Sequence, residues 1–471
     1  MNTASPGEGP ARRVDVSHRR MLVIAVPMTL SHMTTPLLGL ADMTVIGRLG
    51  DAALLGAVAL GGVIFDFLFW SFGALRMGTA GLTAQASGAG DDREIDRALA
   101  RAIAVALLIG LVLIALQWPI GLIALQMMGA SPEVSAALAL YFYIRIWAAP
   151  FTLANYAILG SMIGRGRTDL GFALQVGLNL INIALTVVLV VGLEMGVAGA
   201  AIGTLAAEAI AAGLGLLVLR RLGSNPLRIP LAETLQPAAM KRMLAVNGDI
   251  MIRTMALIVA FASFAAIGAR AGDVTLAANA VLYKMFTLGS YFLDGTATAA
   301  EAMGGQAYGA RNRHAFRRSV AIAIQWSLGL GFFAMAVFWL SGPFFIDFIT
   351  TDAAVRLFAR EYLIYAAAAP LVGALAFAFD GIYIGATWTR AMRNLMLASL
   401  AIYLTALGLG GILTAEGLSN HGLWLAFLTF LGARGLGQAL LYPRLEAGRD
   451  WPGGPSRAQS SDAPDNSGLS G

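Results

Sequence analysis

Asp42 and His32 are the only ionisable residues in an apolar run that begins near Met21 and ends at Gly47. A carboxylate at membrane depth is costly and is usually retained for a function. Pro36 lies upstream in the same run, where it removes a backbone donor and can bend a helix. Asp42 is therefore placed to act as a protonation switch. Gln175, Asn179, Asn182 and Thr186 follow at steps of four, three and four, which puts them on one helix face. With Asp42 and Thr204 they form a candidate ion-coupling cluster. Ordinary hydrogen bonding between membrane helices is the competing reading.

A second stripe runs through Lys284, Thr287, Tyr291, Asp294, Thr298 and Glu301 at alternating steps of three and four. Together with Asp380 it marks either a polar cavity in the C-terminal half or a structural charge network. Asp249 and Arg253 are four residues apart, a spacing that allows direct pairing on one helix. They read as structural charge, as does Arg76, which is expected to snorkel or pair with a neighbour. Arg145 is a candidate partner for Asp66, and His32 reads as a satisfied core histidine. Buried bases otherwise look few.

The elements that must hold these residues follow from composition. The chain has 471 residues, 58% hydrophobic and 13% charged, with mean hydropathy +0.72. A soluble chain carries about 25% charged residues, so this is an integral membrane protein. Its 55 glycines suit close helix packing in lipid. There is no cysteine, which excludes disulfides and thiolate chemistry, and four scattered histidines make no metal cluster. Phosphate-loop, His-Glu-x-x-His and Gly-x-Ser-x-Gly patterns are lacking. An enzyme and a cofactor are therefore not expected, and any work must draw on an ion gradient or a partner.

Apolar runs of about 20 residues give twelve spans, an all-α fold with both termini on one side. Of the 32 Lys and Arg residues, 23 fall in the tails and even-numbered connections. That bias places the termini in the cytoplasm and accounts for the pI of about 9.6 without nucleic acid. The retained first run is no signal peptide. Residues 449–471, rich in Ser, Pro, Gly and Asp, read as a disordered tail.

The sequence also repeats itself at an offset near 220 residues: Gln85-Ala86-Ser87-Gly88-Ala89 matches Gln306-Ala307-Tyr308-Gly309-Ala310, and Ile163-Gly164 matches Ile384-Gly385. The expected organisation is a tail at 1–20, six-helix lobes at 21–219 and 243–441, a cytoplasmic linker at 220–242 and a cytoplasmic tail at 442–471. An even helix count gives both lobes the same orientation, with a binding site between them near the midplane.

Asp42-Met43-Thr44-Val45-Ile46-Gly47-Arg48-Leu49-Gly50 resembles the first-helix motif of the multidrug and toxic compound extrusion (MATE) family. The stretches 75–86, 293–302 and 379–387 resemble its DNA-damage-inducible F (DinF) branch. The similarity spans about residues 21–441. It implies a V-shaped antiporter that exports amphipathic, often cationic compounds in exchange for H⁺ or Na⁺. In that resemblance Asp42 matches the coupling acid and Thr204 a hydroxyl of the same cluster. The family's fifth-helix pattern ends in an acid, whereas Asn179-Leu180-Ile181-Asn182-Ile183-Ala184-Leu185-Thr186 ends in threonine. Paired carboxylates favour a metal ion or a shared proton, so their loss here favours H⁺ over Na⁺ as the coupling ion.

The expected function is multidrug efflux by alternating access from a bacterial inner membrane. The chain would act as a monomer with a small amphipathic substrate and surrounding lipid. A lipid-linked saccharide flippase and a non-transporting membrane scaffold are the alternatives.

Overall fold

The computed structural model describes residues 14–48, 50–413 and 419–448, omitting the side chains of 35–38, 40–42 and 410–413. Twelve long helical stretches run through them. They are α1 (His18–Gly47), α2 (Ala52–Ala89), α3 (Asp92–Ala115), α4 (Pro132–Gly164), α5 (Thr168–Gly192) and α6 (Gly196–Arg221) in the first half. In the second half they are α7 (Pro237–Arg270), α8 (Asp273–Gly309), α9 (Arg313–Ile349), α10 (Ala353–Gly385), α11 (Thr389–Leu413) and α12 (Asn420–Ala447). Ten of them are long and apolar enough to cross a membrane; α1 and α8, of 30 and 37 residues, have the length. Among the described residues there is no strand.

The helix starts show why these segments fold where they do. Asp91 accepts from the Glu94 N–H (2.8 Å) to start α3, and Asn312 accepts from the Ala315 N–H (2.9 Å) to start α9. Ser131 and Asp352 cap α4 and α10 in the same way. Each side-chain oxygen satisfies a helix-end donor that the helix itself leaves free. Both pairs are 221 residues apart, so the repeat extends to the caps.

Interruptions mark the longer spans. A turn at Phe72-Gly73 divides α2, a short 3₁₀ segment at Ile146–Ala148 precedes Pro150 in α4, and α5 ends in a π-turn. A separate helix, Gln117–Met128, follows α3 and leaves Trp118 and Met127 exposed.

Each half builds its own apolar core. Phe65, Tyr141, Phe142 and Leu153 anchor the first; Phe264, Phe286, Trp424 and Phe427 anchor the second. A third cluster, containing Met21 and Ile24 of α1 with Phe316, Tyr383 and Trp388, joins α1 to the second half. Phe344, Phe348, Leu340 and Leu440 point outward, as lipid-facing side chains do.

Both ends of the helical region, the start of α1 and the end of α12, lie on one face. This basic face carries the connection between the halves. Glu233 in that connection binds Arg93 and Arg97, both at 2.7 Å, and the Arg97 hydrogen bond holds its carboxyl below the usual range. Asp96 accepts from the Asn225 N–H at 3.0 Å. The connection is thus moored to α3.

Candidate functional site

The polar face of α5 packs against α6. Asn182 is fully buried, and its Nδ2 donates to Thr204 Oγ1 at 3.0 Å. Thr204 donates onward to the Ala200 carbonyl (3.1 Å), and Thr186 Oγ1 reaches Asn182 Oδ1 at 3.5 Å. Gln175 Nε2 donates to Asn179 Oδ1 at 3.3 Å. Gly203 lets α6 come this close, since a Cβ there would lie 3.1 Å from Thr186 Oγ1. Asn182, Thr186 and Thr204 are therefore brought together, while Asn179 bonds to Gln175 one turn along the same face. α1, which carries Asp42, packs along α5, and the Asp42 side chain lies outside the described residues.

Interhelical hydrogen bonds in membrane proteins contribute about 0.6 kcal/mol on average and up to about 1.7. Asn182→Leu leaves Thr204 Oγ1 without its donor. It is expected to lower stability by about 1–2 kcal/mol, read as a reduced melting temperature in detergent. An unchanged melting temperature would show that the α5–α6 bond carries no structural weight.

Asp380 on α10 is the most heavily bonded acid. It forms ion pairs with Arg253 of α7 and Arg434 of α12, and Gln438 Nε2 donates to its Oδ1 at 2.7 Å. The three charged side chains are at most 8% exposed. Arg434 also lies over the Phe377 ring, 5.6 Å from its centre. This corrects two expectations. Arg253 does not pair with Asp249, because α10 offers it a carboxylate across the bundle. Asp249 binds Arg393 (2.6 Å) and Thr389 (3.0 Å) of α11 instead. Nor are buried bases few, since two arginines share one acid here.

The α8 stripe divides by depth. Lys284 is exposed, Tyr291 and Asp294 are half-buried, and Thr298 and Glu301 are buried. Asp294 lies within the electrostatic reach of Arg76, Arg253, Arg434 and Asp380, so it belongs with the Asp380 cluster. Arg76 also acts on Glu301 and on His32, which places it between the halves rather than at a snorkelling end. Among the described residues Glu301 Oε1 and His32 Nε2 are buried without hydrogen-bond partners. His32 instead stacks on Tyr291, with ring centres 6.5 Å apart and planes 12° apart. It is a core histidine, but one with an unsatisfied nitrogen.

Half-buried Glu208 and buried Arg434 escaped the sequence reading: Glu208 of α6 accepts from Asn155 Nδ2 at 2.7 Å, and Arg434 completes the Asp380 cluster. Both are single charges inside apolar helices, the signal that singled out Asp42. Arg145 donates to the Tyr141 hydroxyl (2.5 Å) and lies 4.8 Å from the centre of the Phe65 ring. A cavity of about 1320 Å³ opens at the basic face, lined by Gln85, Arg101, Arg242, Asp249, Thr387 and Trp388 among others. It lies at the helix ends, apart from Asn182 and Asp380.

A bundle of twelve long helices in two matching halves, with buried polar clusters in each half, is a polytopic membrane protein built on an internal repeat. Comparison with known proteins specifies the kind. The MatE family profile matches residues 27–188 and 250–409, one segment in each half, and the chain belongs to that family of transporters. It is 38% identical over 437 residues to DNA damage-inducible protein F of Escherichia coli (strain K12), covering 91% of this chain and 92% of that one. It is 28% identical over 455 residues to a probable multidrug resistance protein NorM of Deinococcus radiodurans, covering 92% and 96%. A solved MATE structure in a bent conformation superposes with a TM-score of 0.81 at 20% identity, covering 91% of this chain and 95% of that one. The protein is accordingly a transporter and not an enzyme.

Proposed function

We propose that this protein is a secondary antiporter that exports amphipathic, cationic compounds across a bacterial inner membrane in exchange for H⁺. Residues 21–219 and 243–441 act as its two lobes, and both termini and the 220–242 linker face the cytoplasm. The observation that carries the reading is the buried Asn182–Thr204–Thr186 cluster on α5 and α6, against which the Asp42-bearing helix packs. Amides and hydroxyls around a single carboxylate suit proton exchange. A tight Na⁺ site would gain from the further anionic oxygens that an acid in place of Thr186 would supply.

In this cycle, deprotonated Asp42 favours cargo taken from the cytoplasmic side. Protonation from outside repacks α1 around Pro36 and releases it. The test is purified monomeric protein in liposomes with an imposed pH or Na⁺ gradient. Organic-cation transport is expected to follow the pH gradient; transport driven by Na⁺ alone overturns the proton assignment.

The Arg253–Asp380–Arg434 cluster favours a second reading, a lipid-linked saccharide flippase whose arginines would hold pyrophosphate. Asp294 beside the cluster offsets its excess positive charge, which leaves cationic cargo ahead. Thermal stabilisation by a lipid-linked pyrophosphate, with none by organic cations, would reverse that order.

A further inference from the structure

The seam between the halves holds two matching contacts at the basic face. At the end of α2, Gln85 Nε2 donates to the Gly385 carbonyl (2.9 Å) and to Thr387 Oγ1 (3.1 Å), and its Oε1 accepts from Arg242 Nη2 (2.8 Å). At the end of α8, Gln306 Nε2 donates to the Gly164 carbonyl (2.9 Å), and its Oε1 accepts from Arg20. Each glutamine thus has both ends of its amide bound by the opposite half. Gln85 and Gln306 are 221 residues apart, as are Gly164 and Gly385, and Arg20 and Arg242 are 222 apart. The two contacts are one device, repeated by the pseudosymmetry.

The backbones meet in the same pattern. A Cβ on Gly88 would lie 1.9 Å from the Gln306 carbonyl oxygen, and one on Gly309 would lie 2.0 Å from that of Gln85. Left-handed residues just past α4 and α10, Gly166 (φ 73°) and Thr387 (φ 56°), turn the chain beside the two acceptor carbonyls. A non-glycine residue in that region is uncommon, and Thr387 uses it to bring a second acceptor to Gln85.

We propose that Gln85 and Gln306 are the paired latch of the cytoplasmic gate, holding the lobes together while that side is sealed and releasing together when it opens. Every bonded group is an amide, a carbonyl, a hydroxyl or a guanidinium. Gln85, Arg242 and Thr387 line the basic-face cavity, where water can replace their bonds on opening. The seam is therefore releasable in a way that an apolar core is not. This inference rests on the alternating-access reading.

The chain has no cysteine, so one introduced thiol reports alone. Ala84 is fully buried at the seam, and a Cβ on Gly305 of the other half would lie 2.6 Å from its side chain. In inside-out vesicles, Ala84→Cys should react slowly with a membrane-impermeant maleimide. Adding Gln85→Leu and Gln306→Leu together is expected to speed labelling about tenfold, and either alone by less. Gln85→Glu keeps an acceptor for Arg242 but loses the donor to Gly385, and should behave like Gln85→Leu. A control thiol at the fully buried Ala157 of the first-half core, near the basic-face end of α4, should stay protected throughout.

Unchanged labelling in the double variant overturns the latch, and so does an equal rise at Ala157, which would mean general loosening. Failure of the transport reading would appear separately, as absent gradient-driven transport by the parent protein.

Discussion

Asp380→Ala is expected to destabilise the folded protein by about 3–5 kcal/mol, the scale for breaking a buried ion pair by removing one partner. The variant leaves Arg253 and Arg434 buried with no direct counter-charge and takes the acceptor from Gln438. Arg434→Met should cost much less. It leaves one arginine facing one carboxylate and keeps an unbranched side chain over Phe377. The order is the informative part, because a cluster of two bases and one acid tolerates loss of a base better than loss of the acid. Thermal or denaturant melting in detergent reads it directly. If Asp380→Ala melted with the parent protein, or Arg434→Met proved the worse variant, the three side chains would not be acting as one charge-balanced unit.

How far the sequence spoke for the structure differs between elements and partners. The twelve spans were legible because lipid demands about 20 apolar residues of each, and the repeat was legible because its glycines and caps serve backbone geometry. Asp91 and Asn312 cap α3 and α9 at the same repeat position, and Gly164 and Gly385 end α4 and α10. The polar face of α5 was legible because Asn179, Asn182 and Thr186 follow the helical period. Partner choice was not. Spacing of four residues shows that Asp249 and Arg253 could meet along α7, but it carries no information about what α10 and α11 present from the side. There Asp380 and Arg393 proved the better partners. Glu208 was overlooked because it stands in an alanine-rich helix without a polar stripe beside it, and its Asn155 partner comes from α4. The glutamine latch was visible as a repeated motif, while its meaning depended on the packing of two halves that no local pattern records.

The proposed proton coupling gives Asp42 and Glu301 different roles, and two neutral substitutions distinguish them. Asp42→Asn is expected to abolish ethidium efflux driven by a pH gradient, because an amide at that position cannot exchange a proton between the two sides. Glu301→Gln is expected to keep it. Glu301 is buried on α8, with Oε1 lacking a hydrogen-bond partner and Arg76 as its electrostatic neighbour. An uncharged amide of the same shape removes an ionisable group from that site without opening a cavity. Its melting temperature should stay level with the parent's, since the amide keeps the size and shape of the carboxyl it replaces. The opposite result would move the coupling site. If Glu301→Gln lost gradient-driven efflux while Asp42→Asn kept it, the proton would travel through the second half, beside Asp294 and the Asp380 cluster. The Asn182–Thr204 bond would then be helix packing alone. Measuring both variants in one vesicle preparation, with the gradient collapsed by an ionophore as the reference, removes differences in insertion. The comparison then turns on which carboxyl must lose its proton for cargo to cross.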